Sequence, residues 1–185
     1  MRKLIASNLV SADGFFEGAE QDLSWFKIDP EFHRHMATIF DRVDTILIGR
    51  KTYDLFVNFW PDYVGEDERT ANFMNSSTKI VFSNTLNKAP WGAHKEALLF
   101  KDHLISETEK LKQQPGKDIV IFGSSTIINA LSQADLIDEY RFIINPVILG
   151  DGKQMFKQVN AKHPLKLKAT TVLSFGVVVL DYERD

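Results

Sequence analysis

Thr45-Ile46-Leu47-Ile48-Gly49-Arg50-Lys51-Thr52-Tyr53 changes character in mid-stretch. A short apolar run of β-type residues ends at a glycine, and helix-forming residues follow at once. Asp118-Ile119-Val120-Ile121-Phe122-Gly123-Ser124-Ser125 does the same about 70 residues later. Each is a strand that meets a helix at glycine. A helix start carries free backbone N–H groups and partial positive charge, and glycine lets a ligand approach the main chain. The first junction adds the cations Arg50 and Lys51 and the hydroxyl of Thr52. The second offers Ser124, Ser125, Thr126 and Ile127. Two such junctions could hold the two ends of a dinucleotide pyrophosphate. Strand–glycine–helix is also common packing in α/β proteins, and neither segment is a Gly-x-Gly-x-x-Gly fingerprint or a P-loop.

Outward from these segments the strand–helix order repeats. Lys3–Val10 reads as a strand and Ser11–Gly14 as a turn, with residues 15–29 irregular. Pro30–Val43 has helical spacing, with Pro30 in the first turn. Glu66–Asn75 reads as a polar helix, Lys79–Ser83 as a strand, His103–Gln113 as an amphipathic helix and Leu136–Ile144 as a long strand. Leu165–Leu173 and Val177–Tyr182 flank Ser174-Phe175-Gly176 as a terminal hairpin. The expected fold class is α/β, three layers α/β/α, with a mostly parallel central sheet and an antiparallel C-terminal hairpin. Residues 1–185 are expected to form a single domain, since no linker or repeat interrupts them.

The bulk numbers narrow the function. The chain has 185 residues, 44% hydrophobic, enough for one packed core. A net charge of -3 argues against nucleic acid or an anionic membrane as partner, and no stretch is long enough to span a bilayer. The absence of cysteine removes thiol chemistry and thiolate metal sites, and the expected location is cytoplasmic. None of the five histidines is spaced as a metal ligand set, so no metal is expected.

The Gly49-Arg50-Lys51-Thr52 helix start resembles that of dihydrofolate reductases, and Gly123-Ser124-Ser125 resembles their second glycine motif. Lys79-Ile80-Val81-Phe82-Ser83 looks like their strand that ends near the adenosine phosphate. Ser11-Ala12-Asp13-Gly14, Asp138-Glu139-Tyr140 and Pro146-Val147-Ile148-Leu149-Gly150-Asp151-Gly152 with Phe156 resemble the reductase domain of the riboflavin-biosynthesis deaminase-reductase. The matches run in order over nearly the whole chain. It is identified as a member of the dihydrofolate-reductase-like family, riboflavin-reductase (RibD) C-terminal type.

The resemblance implies an oxidoreductase with NADPH as cofactor. Arg50, Lys51, Thr52 and Ser83 would meet the 2′-phosphate and adenosine side. Gly49 belongs to the same junction, and Gly123, Ser124, Ser125, Thr126 and Ile127 would meet the pyrophosphate and nicotinamide side. Ser83 also reads as the start of a turn. Two carboxylates are candidate acids. Asp13 lies in the Ser-x-Asp-Gly turn, where it is equally a turn former. Asp22 precedes Leu23-Ser24-Trp25-Phe26 and resembles the pterin-binding acid, but it is equally a helix cap. Burial between Trp25 and Phe26 would raise its pKa. Of the aromatic run after the first junction, Phe56 and Trp60 are expected to line the acceptor pocket, with Trp25 and Phe26 opposite.

The chain also departs from those families. Phe122 stands where riboflavin-pathway reductases carry Glu, the deaminase half is absent, and Ser124 replaces the second glycine of the folate enzymes. The expected acceptor is therefore a small heterocyclic or conjugated C=N or carbonyl compound other than folate or the ribitylated pyrimidine. The expected assembly is a homodimer. The competing reading is a homodimer that binds a nucleotide or heterocycle without turnover.

Overall fold

The structure is a computed structural model, and it describes residues 1–157 and 159–185. Among the described residues ten strands occur in chain order: β1 (Leu4–Ser11), β2 (Phe15–Glu17), β3 (Val43–Gly49), β4 (Thr78–Phe82), β5 (Leu98–Phe100), β6 (Asp118–Gly123), β7 (Glu139–Asn145), β8 (Lys153–Gln154), β9 (Leu165–Val172) and β10 (Val178–Arg184). The helices are α1 (Pro30–Met36), α2 (Arg50–Val57), α3 (Glu68–Ser76), α4 (Leu104–Gln113) and α5 (Ser125–Gln133). Eight strands form one sheet in the order β5-β4-β3-β6-β1-β7-β10-β9. Pairs from β5 to β7 are parallel, while β10 runs antiparallel to both β7 and β9. The mostly parallel sheet with an antiparallel C-terminal hairpin is thus present.

Strand alternation builds two apolar layers. On one face Ile5, Ile46, Ile48, Val81 and Val120 pack with α1 and α3 through Phe32, Met36, Phe73 and Met74. On the other, Leu4, Leu47, Ile119 and Ile121 pack with Leu111 of α4 and Ile128 and Leu131 of α5. Leu47, Ile48 and Ile119 are fully buried, each contributing roughly 1.5–3 kcal/mol.

Some boundaries differ from the sequence reading. The segment expected as one helix over 30–43 is α-helical only to Met36. It tightens to a 3-10 turn at Ala37–Arg42, which sets Ile39 and Phe40 into the core, with Phe40 stacked on Phe73 at 4.0 Å. Asp67 caps α3 by accepting from the Thr70 N–H, so that helix starts two residues later than expected. β7 starts at Glu139, and the Asp138 carboxylate just before it accepts the Leu4 N–H at the start of β1 and the Lys112 ammonium. Within the stretch expected to be irregular, β2 pairs with β8.

Candidate functional site

β3 and β6 are neighbours, with Ile48 paired to Gly123, so both glycine junctions open on the same rim of the sheet. From that rim α2 packs on one face through Tyr53 and Phe56, and α5 on the other through Ile127, Ile128 and Leu131. The chain thus runs from β3 outward one way and from β6 the other. Ligands of open α/β sheets bind at such a reversal, beyond the carboxyl ends of the strands.

The junctions are built into each other. A Cβ on residue 49 would stand 2.8 Å from Ser124 Oγ and 3.1 Å from Ile127 Cδ1. A Cβ on residue 123 would stand 2.8 Å from Thr52 Oγ1, and the φ of Gly123 is +140°. Gly49, Thr52, Gly123, Ser124 and Ile127 are therefore brought together. Ser125 is buried beside them and Thr126 is exposed. Neither α2 nor α5 has a side-chain cap, so the first-turn N–H groups of both face the rim without one. These residues fit a dinucleotide phosphate: two uncapped helix starts and two positions without a Cβ.

The cationic side is looser. Arg50 Nη1 donates to Asp54 Oδ2 at 2.8 Å, one turn along, and both are exposed. Lys51 Nζ lies 3.4 Å from Gln21 Oε1. Ser83 sits just past β4, one strand over from Gly49. Its Oγ accepts the Thr85 and Leu86 N–H groups, each at 3.2 Å, so its hydroxyl is engaged in opening a turn.

The two expected acids are both held in turns and are not among the residues lining the cleft. Asp13 accepts from Ser11 Oγ and from the N–H groups of Leu149 and Gly150. The Ser11 hydroxyl and the Gly150 N–H hold its carboxyl down to about 2. It clasps the loop after β7 and is a poor proton donor. Asp22 is exposed rather than buried between Trp25 and Phe26. It accepts the Ser24 N–H, and its pKa is lowered by that bond, the opposite of the expected rise. The Trp25 indole explains this: it is buried and donates to the Asp22 carbonyl, which fixes the loop with the carboxylate outward.

A cleft runs from the junctions along the α1 and α2 face. Its junction-side half, about 420 Å³, is termed the polar half because Ser7, Glu17, Lys51, Thr52, Ser124 and Lys153 border it, although the rest of its lining is apolar. An apolar chamber of about 420 Å³ continues it, with Phe26, Phe56 and Phe122 shared between the two. Trp60 lines the chamber. Three of the four expected acceptor-side aromatics are thus at the cleft. Trp25 instead supports it from behind, edge-to-face with Phe26 at a centroid distance of 4.4 Å. Ser7, Leu9, Glu17 and Leu55 were missed. Alternation along β1 carries a signal for Ser7 and Leu9, which share one face. Among the described residues no group of three or more side chains is arranged to hold a metal ion, and no helix is long and apolar enough to cross a membrane.

The comparisons with known proteins agree with this fold. The family model described as RibD C-terminal domain matches residues 2–180. The uncharacterized protein YyaP of Bacillus subtilis (strain 168) is 35% identical over 185 residues, covering 98% of this chain and 94% of its own. A pyrimidine reductase-like protein from Corynebacterium diphtheriae superposes with a TM-score of 0.75 at 12% identity, covering 100% of this chain and 92% of that one. Dihydrofolate reductase from Enterococcus faecalis, complexed with NADP(H), superposes with a TM-score of 0.65 at 16% identity, covering 99% and 96%. At these identities the two structures show a shared fold.

Proposed function

The chain belongs to the RibD C-terminal domain family, and from that membership we propose that it is an NADPH-dependent oxidoreductase acting on a small heterocyclic or conjugated C=N or carbonyl compound. The observation that carries this reading is the interlocked pair of uncapped junctions at the strand-order reversal, opening into a cleft. Gly49, Thr52, Gly123, Ser124, Ser125, Thr126 and Ile127 hold the phosphates and the nicotinamide side. Arg50 and Lys51 select the 2′-phosphate, since a dianion there needs cationic partners. Ser83 borders the adenosine side. Bound NADPH supplies a hydride.

The chain's own part is to orient the acceptor and manage a proton. Phe26, Phe56 and Trp60 wall the acceptor. Glu17 is the carboxylate bordering the polar half, and it takes the proton-exchanging role expected of Asp13 or Asp22. Two copies pair through β9, whose outer edge has no strand beside it among the described residues and whose residues 166–170 are all exposed. A cytoplasmic location fits a chain without cysteine.

Thermal unfolding with NADPH, with NADH and with buffer alone tests the reading. A preferential rise with NADPH supports it. No rise with either nucleotide removes it. A rise with NADPH but no oxidation of it across an acceptor panel favours the homodimer that binds without turnover.

A further inference from the structure

The character of the acceptor can be read from the chamber. Its walls come from α1 (Phe32, Met36), α2 (Leu55, Phe56) and the following turn (Phe59, Trp60), and Leu9 and Phe122 close it on the sheet side. Among the described lining residues there is no Asp, Glu, Lys or Arg. The one ionisable nitrogen is that of His33 at the outer end, and its Nδ1 already lies 2.5 Å from Asp67 Oδ2. A carboxylate or phosphate placed here would lose its water and find no free cation, a penalty of several kcal/mol per ion.

The walls are also shaped for rings. Phe56 meets Trp60 and Phe122 in T-shaped contacts at centroid distances of 6.5 and 6.1 Å, so aromatic faces and edges turn toward the same space. Three buried polar atoms at or near this space have no hydrogen-bond partner among the described residues: Ser7 Oγ, on a side chain 2% exposed, Trp60 Nε1, and Thr70 Oγ1 of the chamber wall. All three can donate. A buried donor left without an acceptor destabilises the fold, and a ligand oxygen would satisfy it.

Resting on the reductase reading above, we infer that the chamber takes an uncharged, flat aromatic compound of one or two fused rings that carries a hydrogen-bond-accepting oxygen. Ser7 anchors that oxygen at the boundary between the polar half and the chamber. Phe56, Trp60 and Phe122 hold the ring. Acceptors whose charge would lie inside the chamber are turned away, because its walls hold no Lys or Arg to meet it.

Coumarin and coumarin-3-carboxylate test this, since they share a bicyclic ring and differ by one charge. Binding of each is measured by isothermal titration calorimetry, with and without saturating NADPH. Coumarin is expected to bind at least tenfold more tightly than its carboxylate. Ser7→Ala should lower coumarin affinity several-fold. Leu55→Arg, at a half-exposed wall position, should narrow or invert the preference. If that variant does not fold, the wild-type pair and Ser7→Ala still decide. Equal or tighter binding of the carboxylate overturns the inference, as does no binding of coumarin by protein that NADPH stabilises. Coumarin binding by protein that NADPH fails to stabilise leaves the inference standing and removes the reductase reading instead.

Discussion

The Thr52 hydroxyl oxygen stands 2.8 Å from the point a Cβ on residue 123 would occupy, and Ser124 Oγ stands equally close to the corresponding point on residue 49. Each helix start therefore requires a glycine on the other strand. Gly49→Ala is expected to cost roughly 1–3 kcal/mol through overpacking. Gly123→Ala adds left-handed backbone strain and is expected to cost roughly 2–4 kcal/mol. Ser124→Gly should recover part of the Gly49→Ala loss and none of the Gly123→Ala loss. Chemical denaturation of the single and double variants measures the coupling.

Arg50 is exposed and among the described residues pairs with Asp54 alone, so it is available to a 2′-phosphate. Arg50→Ala should weaken NADPH about tenfold and leave NADH nearly unchanged, read by calorimetric titration. Equal loss for both nucleotides means that Arg50 does not touch the 2′-phosphate.

Glu17 borders the polar half of the cleft, where Asp13 and Asp22 do not. Glu17→Gln is expected to lower kcat about a hundredfold with little change in KM. A full-rate Glu17→Gln enzyme would show that the proton comes from elsewhere.

Asp13 has a folded-state pKa pulled from 3.8 to about 2 by the Ser11 hydroxyl and the Gly150 N–H. A depressed carboxyl pKa stabilises the fold above the unfolded value. That stability is lost as pH falls from about 4 toward about 2. Asp13→Asn should lower the melting temperature at neutral pH and make the acid limb shallower. Its NADPH-induced shift should stay intact.

Glu139 makes the same kind of contribution at the opposite rim. Burial pushes its pKa up, but hydrogen bonds from Lys3 and Arg42 and the charge of Lys168 prevail and bring it from 4.5 to about 2. Its stabilisation is complete above about pH 4.5 and fades toward about pH 2. Glu139→Gln should cost about 3 kcal/mol at neutral pH. Because the two carboxylates share no partner, the Asp13→Asn and Glu139→Gln effects should add in urea denaturation.

The junctions were legible because a change of period at a glycine is a local signal, and β3–α2 and β6–α5 carry it within nine residues each. Their mutual fit was not, since Thr52 and Gly123 are 71 positions apart and only the β3–β6 pairing brings them together. Asp22 was misread for a related reason. Adjacency to Trp25 and Phe26 in sequence says nothing about which way a turn faces, and here the indole bond to the Asp22 carbonyl sends the carboxylate to solvent. Glu17 was hidden because β2 is a three-residue strand whose partner, β8, lies far along the chain. The tightening after Met36 was hidden because Ile39 and Phe40 suit a helical period as well as the 3-10 turn they adopt.

β1 lies between β6 and β7, and its nearest partner in sequence begins at residue 118. During synthesis β1 therefore emerges well before either of the strands that flank it in the sheet. Apolar residues from Leu4 to Val10 stay uncovered in that interval. Long-range pairing of this kind slows folding and exposes the nascent chain to association with itself. A fragment that stops before β6 retains Gly49 and its helix but has nothing to seat its N-terminal strand. Nucleotide affinity should thus arise abruptly with chain length, only once β6 and β7 have emerged.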